Sequence, residues 1–250
     1  MTSRMNDLGQ PVGAAMPGWA GAPRPPRAVM QGRFCRIEPV DVDRHGHDLF
    51  EAFSLDREGG NWTYLSYDRT ATEAPFIAWM QRSCLGDDPL YHAVIDPATN
   101  KAVGLASFLR IDPANGVIEV GNIHFSPLMQ RKPAATEAMY LMMRRVFAEL
   151  GYRRYEWKCD SLNAPSRAAA ARLGFSYDGL FPQALVYKGR NRDTTWFSIM
   201  DKEWPAIAAA FEQWLALENF DAGGRQRQSL AAFMPSPRPA TASRPCAASL

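Results

Sequence analysis

Cysteine is sparse in this chain: Cys35, Cys84, Cys159 and Cys246 lie far apart, form no C-x-x-C pair and have no histidines at ligand spacing. That excludes zinc ribbons and fingers and leaves no framework for disulfides. The four read as reduced, mostly buried thiols of a cytoplasmic protein, and no metal is expected. Long apolar runs are also missing. No segment approaches the roughly 18–20 apolar residues of a membrane helix. Residues 1–30 are rich in Pro, Gly, Ala and Met but lack the basic start and continuous apolar stretch of a signal peptide. No membrane partner is therefore expected. Charge of one sign is lacking too: Lys+Arg 28 against Asp+Glu 26 leave a net +2, too little for a polyanion-binding surface, so nucleic acid is excluded as a partner. Neither G-x-x-x-x-G-K-S/T nor G-x-G-x-x-G occurs, which removes two common nucleotide-phosphate loops.

What is present suffices for one core, with 46% hydrophobic and 11% aromatic residues in 250. The expected domain is 31–220. Residues 1–30 and 221–250 read as largely disordered tails, because neither supplies a core and Pro23, Arg24, Pro25 and Pro26 favour extended backbone without secondary structure. Residues 34–40 read as a strand and 43–53 as a helix burying Leu49, Phe50 and Phe53. Thr72 and Pro75 open a second helix that stops before Pro89. Strand patterns at 91–95, 102–110 and 117–125 are separated by strong turn signals, which favours an antiparallel meander. From 133 to 150, Ala135, Met139, Met142, Met143, Val146 and Leu150 share one helical face, and Gly151 follows as the stop. A strand with Tyr155, Trp157 and Cys159 on one side comes next, then a short helix at 164–173. Strands at 175–180, 185–188 and 194–200 and a closing helix at 204–217 complete an α+β fold, a mixed and mostly antiparallel sheet flanked by helices. The polar loop 189–193 reads as a solvated hairpin with an internal Arg–Asp pair, although Arg190 and Arg192 could also bind small anions.

The strand at 117–125 runs through Gln130, Arg131, Lys132, Pro133, Ala134 and Ala135 straight into the long helix. Pro133 suits a first helical position, with φ preset and no N–H to waste, and small residues leave the first turn uncovered. Free backbone N–H groups at a helix start make an anion site, and Arg131 and Lys132 add charge beside it. A ligand carrying a pyrophosphate fits that description.

Two segments together carry a family resemblance: Gln130 to Ala135 within its strand–turn–helix, and Asn163-Ala164-Pro165-Ser166 followed by Leu173-Gly174-Phe175. From Phe34 to about Trp204 the chain resembles a GCN5-related N-acetyltransferase (GNAT) of the RimJ/RimL type. The first segment stands in the place of that family's Q/R-x-x-G-x-G/A motif, and the second is similar to its N-x-x-S and LGF elements. The resemblance implies acetyl-CoA as co-substrate, with a splayed strand pairing the pantetheine arm through Phe125 and Ser126. The turn of Gln130, Arg131, Lys132, Pro133, Ala134, Ala135 and Thr136 would hold the pyrophosphate. Pro133 departs from the family's glycine and removes one amide donor, for which Lys132 and the amides of Ala134, Ala135 and Thr136 would compensate. The acceptor implied is an amine, either a small molecule or a protein N-terminus, and a homodimer is a further partner the resemblance allows.

Acetyl transfer to an amine needs a neutral nitrogen, a stabilised oxyanion and a protonated leaving thiolate. An alkylamine with a pKa of about 10.4 must lose a proton first. Glu119 and His124 compete for that role with a water relay; strand alternation sets the two side chains on opposite faces. Their alternatives are an ion-paired glutamate and a packed histidine. Amides around Ile123 to Phe125 are the expected oxyanion donors. The family's tyrosine acid falls at Ala170 and the glutamate of RimL-type enzymes at Leu185, so both are missing. Ser166 fits the RimL-type acid position but could be a helix-start residue, and Asn163 either contacts pantetheine or caps the helix. Trp62, Tyr64, Phe181 and Gln183 border the implied acceptor site, where aromatics also serve as packing. A second function from another class is a coenzyme A binding protein without efficient turnover. Glu119→Gln is expected to lower turnover while leaving acetyl-CoA affinity nearly intact, read from steady-state kinetics beside a binding titration.

Overall fold

The computed structural model describes residues 4–239. Cys246 and the rest of the C-terminal segment from 240, expected to be largely disordered, lie outside the described residues. A two-strand hairpin, β1 (Arg4–Met5) with β2 (Pro11–Val12), precedes the main sheet. The main sheet contains β3 (Met30–Gln31), β4 (Arg36–Pro39), β5 (Leu90–Asp96), β6 (Lys101–Asp112), β7 (Val117–Phe125), β8 (Arg154–Asp160), β9 (Ser176–Tyr187) and β10 (Arg190–Met200). Their spatial order is β3-β4-β5-β6-β7-β8-β10-β9. Every neighbouring pair is antiparallel except β7 with β8, which is parallel. The expected α+β architecture is therefore present.

Among the described residues five α-helices connect and cover the sheet: α1 (Val42–Ser54), α2 (Glu73–Ser83), α3 (Pro133–Arg144), α4 (Ala164–Arg172) and α5 (Trp204–Leu215). Asp41 starts α1 by accepting the Arg44 amide at 3.1 Å, which satisfies one of the orphan donors of a helix start. Pro133 is the first residue of α3, as its fixed φ predicts. That helix relaxes into a π-helical turn, Arg145–Glu149, before Gly151 ends it at φ +68. On one side of the sheet Leu49, Phe53, Phe76 and Met80 of α1 and α2 pack with Ala93, Ile95 and Leu105. On the other, Met139, Met142, Met143 and Val146 of α3 and its extension, with Ile207, Phe211 and Trp214 of α5, cover Val94, Phe108, Ile118, Val120 and Tyr155.

Three expectations change. The N-terminal segment does not run free: Trp19 Nε1 donates to Ala114 O at 2.8 Å, and Arg27 Nη2 donates to Leu85 O and Gly86 O. Past residue 220, Leu230 is buried, Phe233 and Met234 pack on the core, and Arg238 pairs with Asp178 at 2.6 Å and Glu203 at 3.0 Å. A few large or charged anchors hold these stretches where average composition predicts none. The two strands expected at 175–180 and 185–188 are one strand. Gln183, at φ +50, forms a bulge whose amide donates to Asp193, so Pro182 is absorbed without a break.

Glu137 of α3 joins the helix to the sheet edge. Its carboxylate accepts the backbone N–H groups of Arg33, Phe34 and Cys35, and a Cβ on Gly32 would overlap that carboxylate. Charge-assisted bonds to three amides are strong and are not reproduced by a carboxamide, which must turn an NH2 toward one of the donors. Glu137→Gln should lower stability by about 1.5–3 kcal/mol, seen as a lower urea midpoint at pH 7. An unchanged midpoint would mean that these amides find other acceptors.

Candidate active site

Strands β7 and β8 run side by side only from the pair Val117 and Arg154 to the pair Val120 and Trp157. Past that point β7 bulges against β6: Ser107 still faces Gly121, but Leu105 faces His124, and Asn122 sits at φ +51. An extra residue on one strand bends it, so β7 turns away from β8 and its last residues have no strand partner on that side. Free N–H and C=O groups along such an edge can pair an extended ligand as a further strand. The bulge also resets side-chain parity. Leu105, Ser107 and Leu109 point to one face of β6, so their partners His124, Gly121 and Glu119 share that face. The expectation of opposite faces for Glu119 and His124 is thereby corrected, because strict alternation does not survive an inserted residue.

Strand β7 leads into the basic turn. Ser126 O accepts the amides of Met129 and Gln130, and Arg131 takes the left-handed conformation at φ +59. Gln130 Nε2 donates to Phe125 O at 2.8 Å and to Asn61 Oδ1 at 3.0 Å, so this side chain fixes the turn and ties it to the loop after α1. The Ala135 amide is used by Lys132 O, whereas the amides of Arg131 and Ala134 meet no protein acceptor among the described residues. Thr136 is buried and its Oγ1 accepts from Arg172 Nη2 at 2.8 Å. Arg172 thus brings a third cation, beside Arg131 and Lys132, to a helix start that Pro133 leaves one donor short. Ser126 Oγ and His124 Nε2, at the end of the splayed strand, are buried without a protein partner. Free amides, cations and orphaned polar atoms along one path fit a phosphate-bearing ligand with a polar arm.

The two candidate bases differ in state. Glu119 is buried, and its Oε2 takes both Arg110 Nη1 at 2.7 Å and Lys158 Nζ at 2.9 Å. Lys158 also pairs with Glu156 at 2.8 Å and lies 3.7 Å over the Trp196 ring. Glu119→Gln therefore strips a buried counter-charge as well as a carboxylate, and a loss of turnover alone does not identify a base. His124 stacks on Phe53 at 3.7 Å, meets Trp62 edge-on at 4.7 Å and places Nδ1 2.7 Å from the Tyr67 hydroxyl. Burial pushes its pKa down to about 3, so the ring is neutral. In the Nε2–H tautomer the Tyr67 phenol donates to Nδ1 and no lone pair is free; in the Nδ1–H tautomer the ring donates to the phenol and the unpartnered Nε2 keeps its lone pair.

Asn163 Oδ1 accepts the Ser166 amide at 3.1 Å and caps α4, which leaves its NH2 group for other partners. Ser166 Oγ accepts Trp157 Nε1 at 3.0 Å. That bond holds the oxygen in place and keeps the hydroxyl proton available to an outside acceptor. Ala170, where a tyrosine was sought, is fully buried in the core.

On the acceptor side the expected residues divide. Trp62 is buried against Phe53 and His124, and the Tyr64 hydroxyl donates to Leu162 O at 3.1 Å. Phe181 stacks on Trp196 at 4.6 Å and Gln183 occupies the bulge. Among the described residues no hydrogen bond or aromatic pair joins Trp62 or Tyr64 to Phe181 or Gln183. The link is made by residues that sequence patterns did not single out. Lys188 Nζ, at the tip of the β9–β10 hairpin, donates to Trp62 O at 2.8 Å and Tyr67 O at 2.9 Å and pairs with Asp68 at 3.0 Å. Arg190 donates to Thr63 O at 2.7 Å. The hairpin is thus anchored rather than simply solvated, and Asp193 takes Asn191 and the Gln183 amide in place of an arginine. Only the charge density of 188–192 hinted at this role.

The family description "Acetyltransferase (GNAT) domain" matches residues 36–176. A GCN5-related N-acetyltransferase from Brucella melitensis is 49% identical with a TM-score of 0.85, covering 87% of this chain and 99% of that one. A probable acetyltransferase of the GNAT family from Chromobacterium violaceum is 40% identical with a TM-score of 0.73, covering 79% and 98%. The uncharacterized N-acetyltransferase p20 of Bacillus licheniformis is 29% identical over 116 residues, which span 45% of this chain and 62% of that protein.

The buried histidines set a pH dependence. Above about pH 6.5 His124 is neutral both folded and unfolded; below it the unfolded ring protonates while the folded one stays neutral down to about 3. Stability attributable to this ring therefore falls as pH drops from 6.5, by up to ~1.4 kcal/mol per pH unit. His92, whose burial pushes its pKa down to about 4, acts in the same direction. His124→Phe should flatten the decline of the urea midpoint between pH 6.5 and 4 relative to wild type. Parallel slopes would mean that His124 is protonated in the folded protein.

Proposed function

This chain belongs to the acetyltransferase (GNAT) family, and on that premise we propose that it is an acetyl-CoA-dependent N-acetyltransferase acting by direct transfer to a primary amine. The observation that carries the reading is the bulge in β7. It opens a strand edge beside β8 that ends at a helix start with free amides at Arg131 and Ala134.

In this reading Phe125 and Ser126 pair the pantetheine arm as an added strand, and Asn163 reaches it with the NH2 group left over from capping α4. Arg131, Lys132 and Arg172 surround the pyrophosphate at the start of α3, where Gln130, Pro133, Ala134, Ala135 and Thr136 shape the backbone. The thioester so placed supplies an activated acetyl group. Amides of the bulge around Ile123 to Phe125 receive the oxyanion, since backbone donors fixed by folding need no reorganisation. The amine nitrogen, having lost a proton to solvent, attacks the carbonyl carbon. Attack gives a tetrahedral adduct whose oxyanion those amides hold; as it collapses the C–S bond breaks, the nitrogen gives its second proton to solvent water, and the amide is left. Ser166, oriented by Trp157, gives its hydroxyl proton to the departing sulfur and is reprotonated from water. His124 stays neutral and, in its Nε2–H tautomer, acts as a donor from Nε2, and Glu119 organises the charged face through Lys158.

The RimJ/RimL affinity of Asn163, Ser166 and the Leu173-Gly174-Phe175 element supports a protein N-terminus or a small molecule as acceptor. Coenzyme A binding without efficient turnover is the competing reading, favoured by the alanine at 170 and the leucine at 185. Calorimetric titration with acetyl-CoA, followed by thiol release over a panel of primary amines, separates the two. Binding with thiol release on at least one amine is expected; tight binding without release on any would replace the transferase by the binding protein. Ser166→Ala should lower kcat by about 10²-fold with the acetyl-CoA Kd within twofold. Unchanged kcat would return Ser166 to a purely structural role in α4.

A further inference from the structure

Five carboxylates are buried among the described residues: Glu38, Glu119, Glu137, Glu156 and Asp160. Four have evident counterparts. Glu38 pairs with Arg36 and Arg44, Glu119 with Arg110 and Lys158, Glu156 with Arg154 and Lys158, and Glu137 binds three backbone amides. Asp160 is the exception. Its Oδ1 accepts the Leu162 amide at 2.9 Å and its Oδ2 accepts the Tyr187 hydroxyl at 2.8 Å, and it has no ion-pair partner among the described residues. Glu137 also lacks an ion pair but is filled by three backbone amides, whereas Asp160 has two neutral donors, so this buried carboxylate retains room and demand for a cation.

Its position matches that demand to the acceptor. Asp160 ends β8, beyond the last β7–β8 pair, so it stands across the wedge from the bulged end of β7. Strand alternation puts it on the face of Glu156 and Lys158, and the pairing of Glu119 with Glu156 makes that the face of Glu119 and His124. Tyr187, its phenol donor, comes from the hairpin whose Lys188 and Arg190 grip the loop 62–68. The nearby cations are otherwise engaged: Arg190 and Arg192 lie over the Tyr187 ring at 5.3 Å and 5.7 Å, bonded to Thr63 O and Thr194 Oγ1, and Lys158 is held by Glu119 and Glu156.

We propose that Asp160 is the acceptor-binding carboxylate: it takes an N–H of the incoming amine, first as ammonium and then as neutral amine, and aims the nitrogen lone pair at the thioester, with Tyr187 holding the carboxylate in place. The inference rests on the transferase reading and deepens it. It assigns as substrate a primary amine that is cationic in solution and enters beside the tip of the β9–β10 hairpin. Neither Asp160 nor Tyr187 carries a motif in the sequence; their meeting depends on the hairpin crossing back over the end of β8.

The test begins with wild-type thiol release from acetyl-CoA over alkylamines, arylalkylamines, a polyamine and short peptides with a free N-terminus. If no amine is acetylated, the transferase reading fails and this inference fails with it. For an amine that is acetylated, Asp160→Asn should raise its KM at least tenfold while the acetyl-CoA Kd, measured by calorimetry, stays within twofold. Tyr187→Phe, which keeps the charge, should raise the amine KM less than fivefold. Equal losses in the two variants would make the Asp160–Tyr187 bond merely structural, and an unchanged amine KM in Asp160→Asn would remove Asp160 from acceptor binding; both leave the transferase reading standing. Should Asp160→Asn not fold, wild type decides alone. The N,N-dimethyl analogue of the accepted amine, charged but not acetylated, should inhibit competitively at least tenfold better than the alcohol of the same shape. Equal inhibition by the alcohol overturns the proposal.

Discussion

The separation of two parallel strands organises this molecule. β7 and β8 share four residue pairs and then diverge, because β7 carries one residue more than β6 can match around Asn122. In a sheet whose other neighbouring pairs are antiparallel, the end of β7 past Val120 is left without a strand partner on the β8 side. Leaving backbone donors and acceptors buried and unpaired is costly, so the wedge is stable only if water or a ligand completes it. The helix that follows β7 starts at the same end of the wedge, which aligns the free strand edge with the positive end of α3. Strand, turn and helix start thus act as one device.

The two faces around the wedge are held by different physics. On the α3 side, Met, Phe, Tyr and Trp side chains close over the sheet and fix the strands by apolar burial. On the other face, α1 and α2 reach only as far as the strands near β6, and the remaining surface is crossed by a chain of ion pairs. It runs from Arg110 through Glu119, Lys158, Glu156, Arg154 and Asp178 to Arg238 and Glu203. A linked chain of this kind couples β6, β7, β8, β9 and the C-terminal segment, with the Trp196 ring packed against its Lys158. The loop 61–68, pinned by Lys188, Arg190 and Gln130 and by the bond of its own Tyr64 to Leu162 O, bounds this face at the wedge.

Much of this was legible in the residues because the signals are local. Helical spacing of Met139, Met142, Met143 and Val146 located α3, alternation of Tyr155, Trp157 and Cys159 located β8, and Pro133 marked a helix start. The basic turn and the Asn163 to Ser166 element were legible for the same reason, since capping and anion binding use neighbouring residues. The common face of Glu119 and His124 was not, because a bulge cancels alternation and needs β6 to define it. Lys188, Asp160 and Arg172 were not either. Each acts through a contact far away in sequence: Lys188 on Trp62 O, Asp160 under the Tyr187 hydroxyl, Arg172 on Thr136. The end segments were misjudged by composition, since one indole bonded to Ala114 O and one arginine paired with Asp178 and Glu203 hold stretches of otherwise weak packing.

The amino-acid sequence by itself determined the kinds of element, their order, the α+β class and the basic turn that opens α3, because backbone propensity, capping and hydrophobic period act within a few residues. The tertiary structure alone decided which buried carboxylates are spent on ion pairs, that Glu137 is filled by three amides while Asp160 has only two neutral donors, that His124 is neutral beneath Tyr67, and that a distant hairpin closes on the loop beside the wedge. Those outcomes depend on burial and on partners brought from elsewhere in the chain, and neither exists until the sheet has formed.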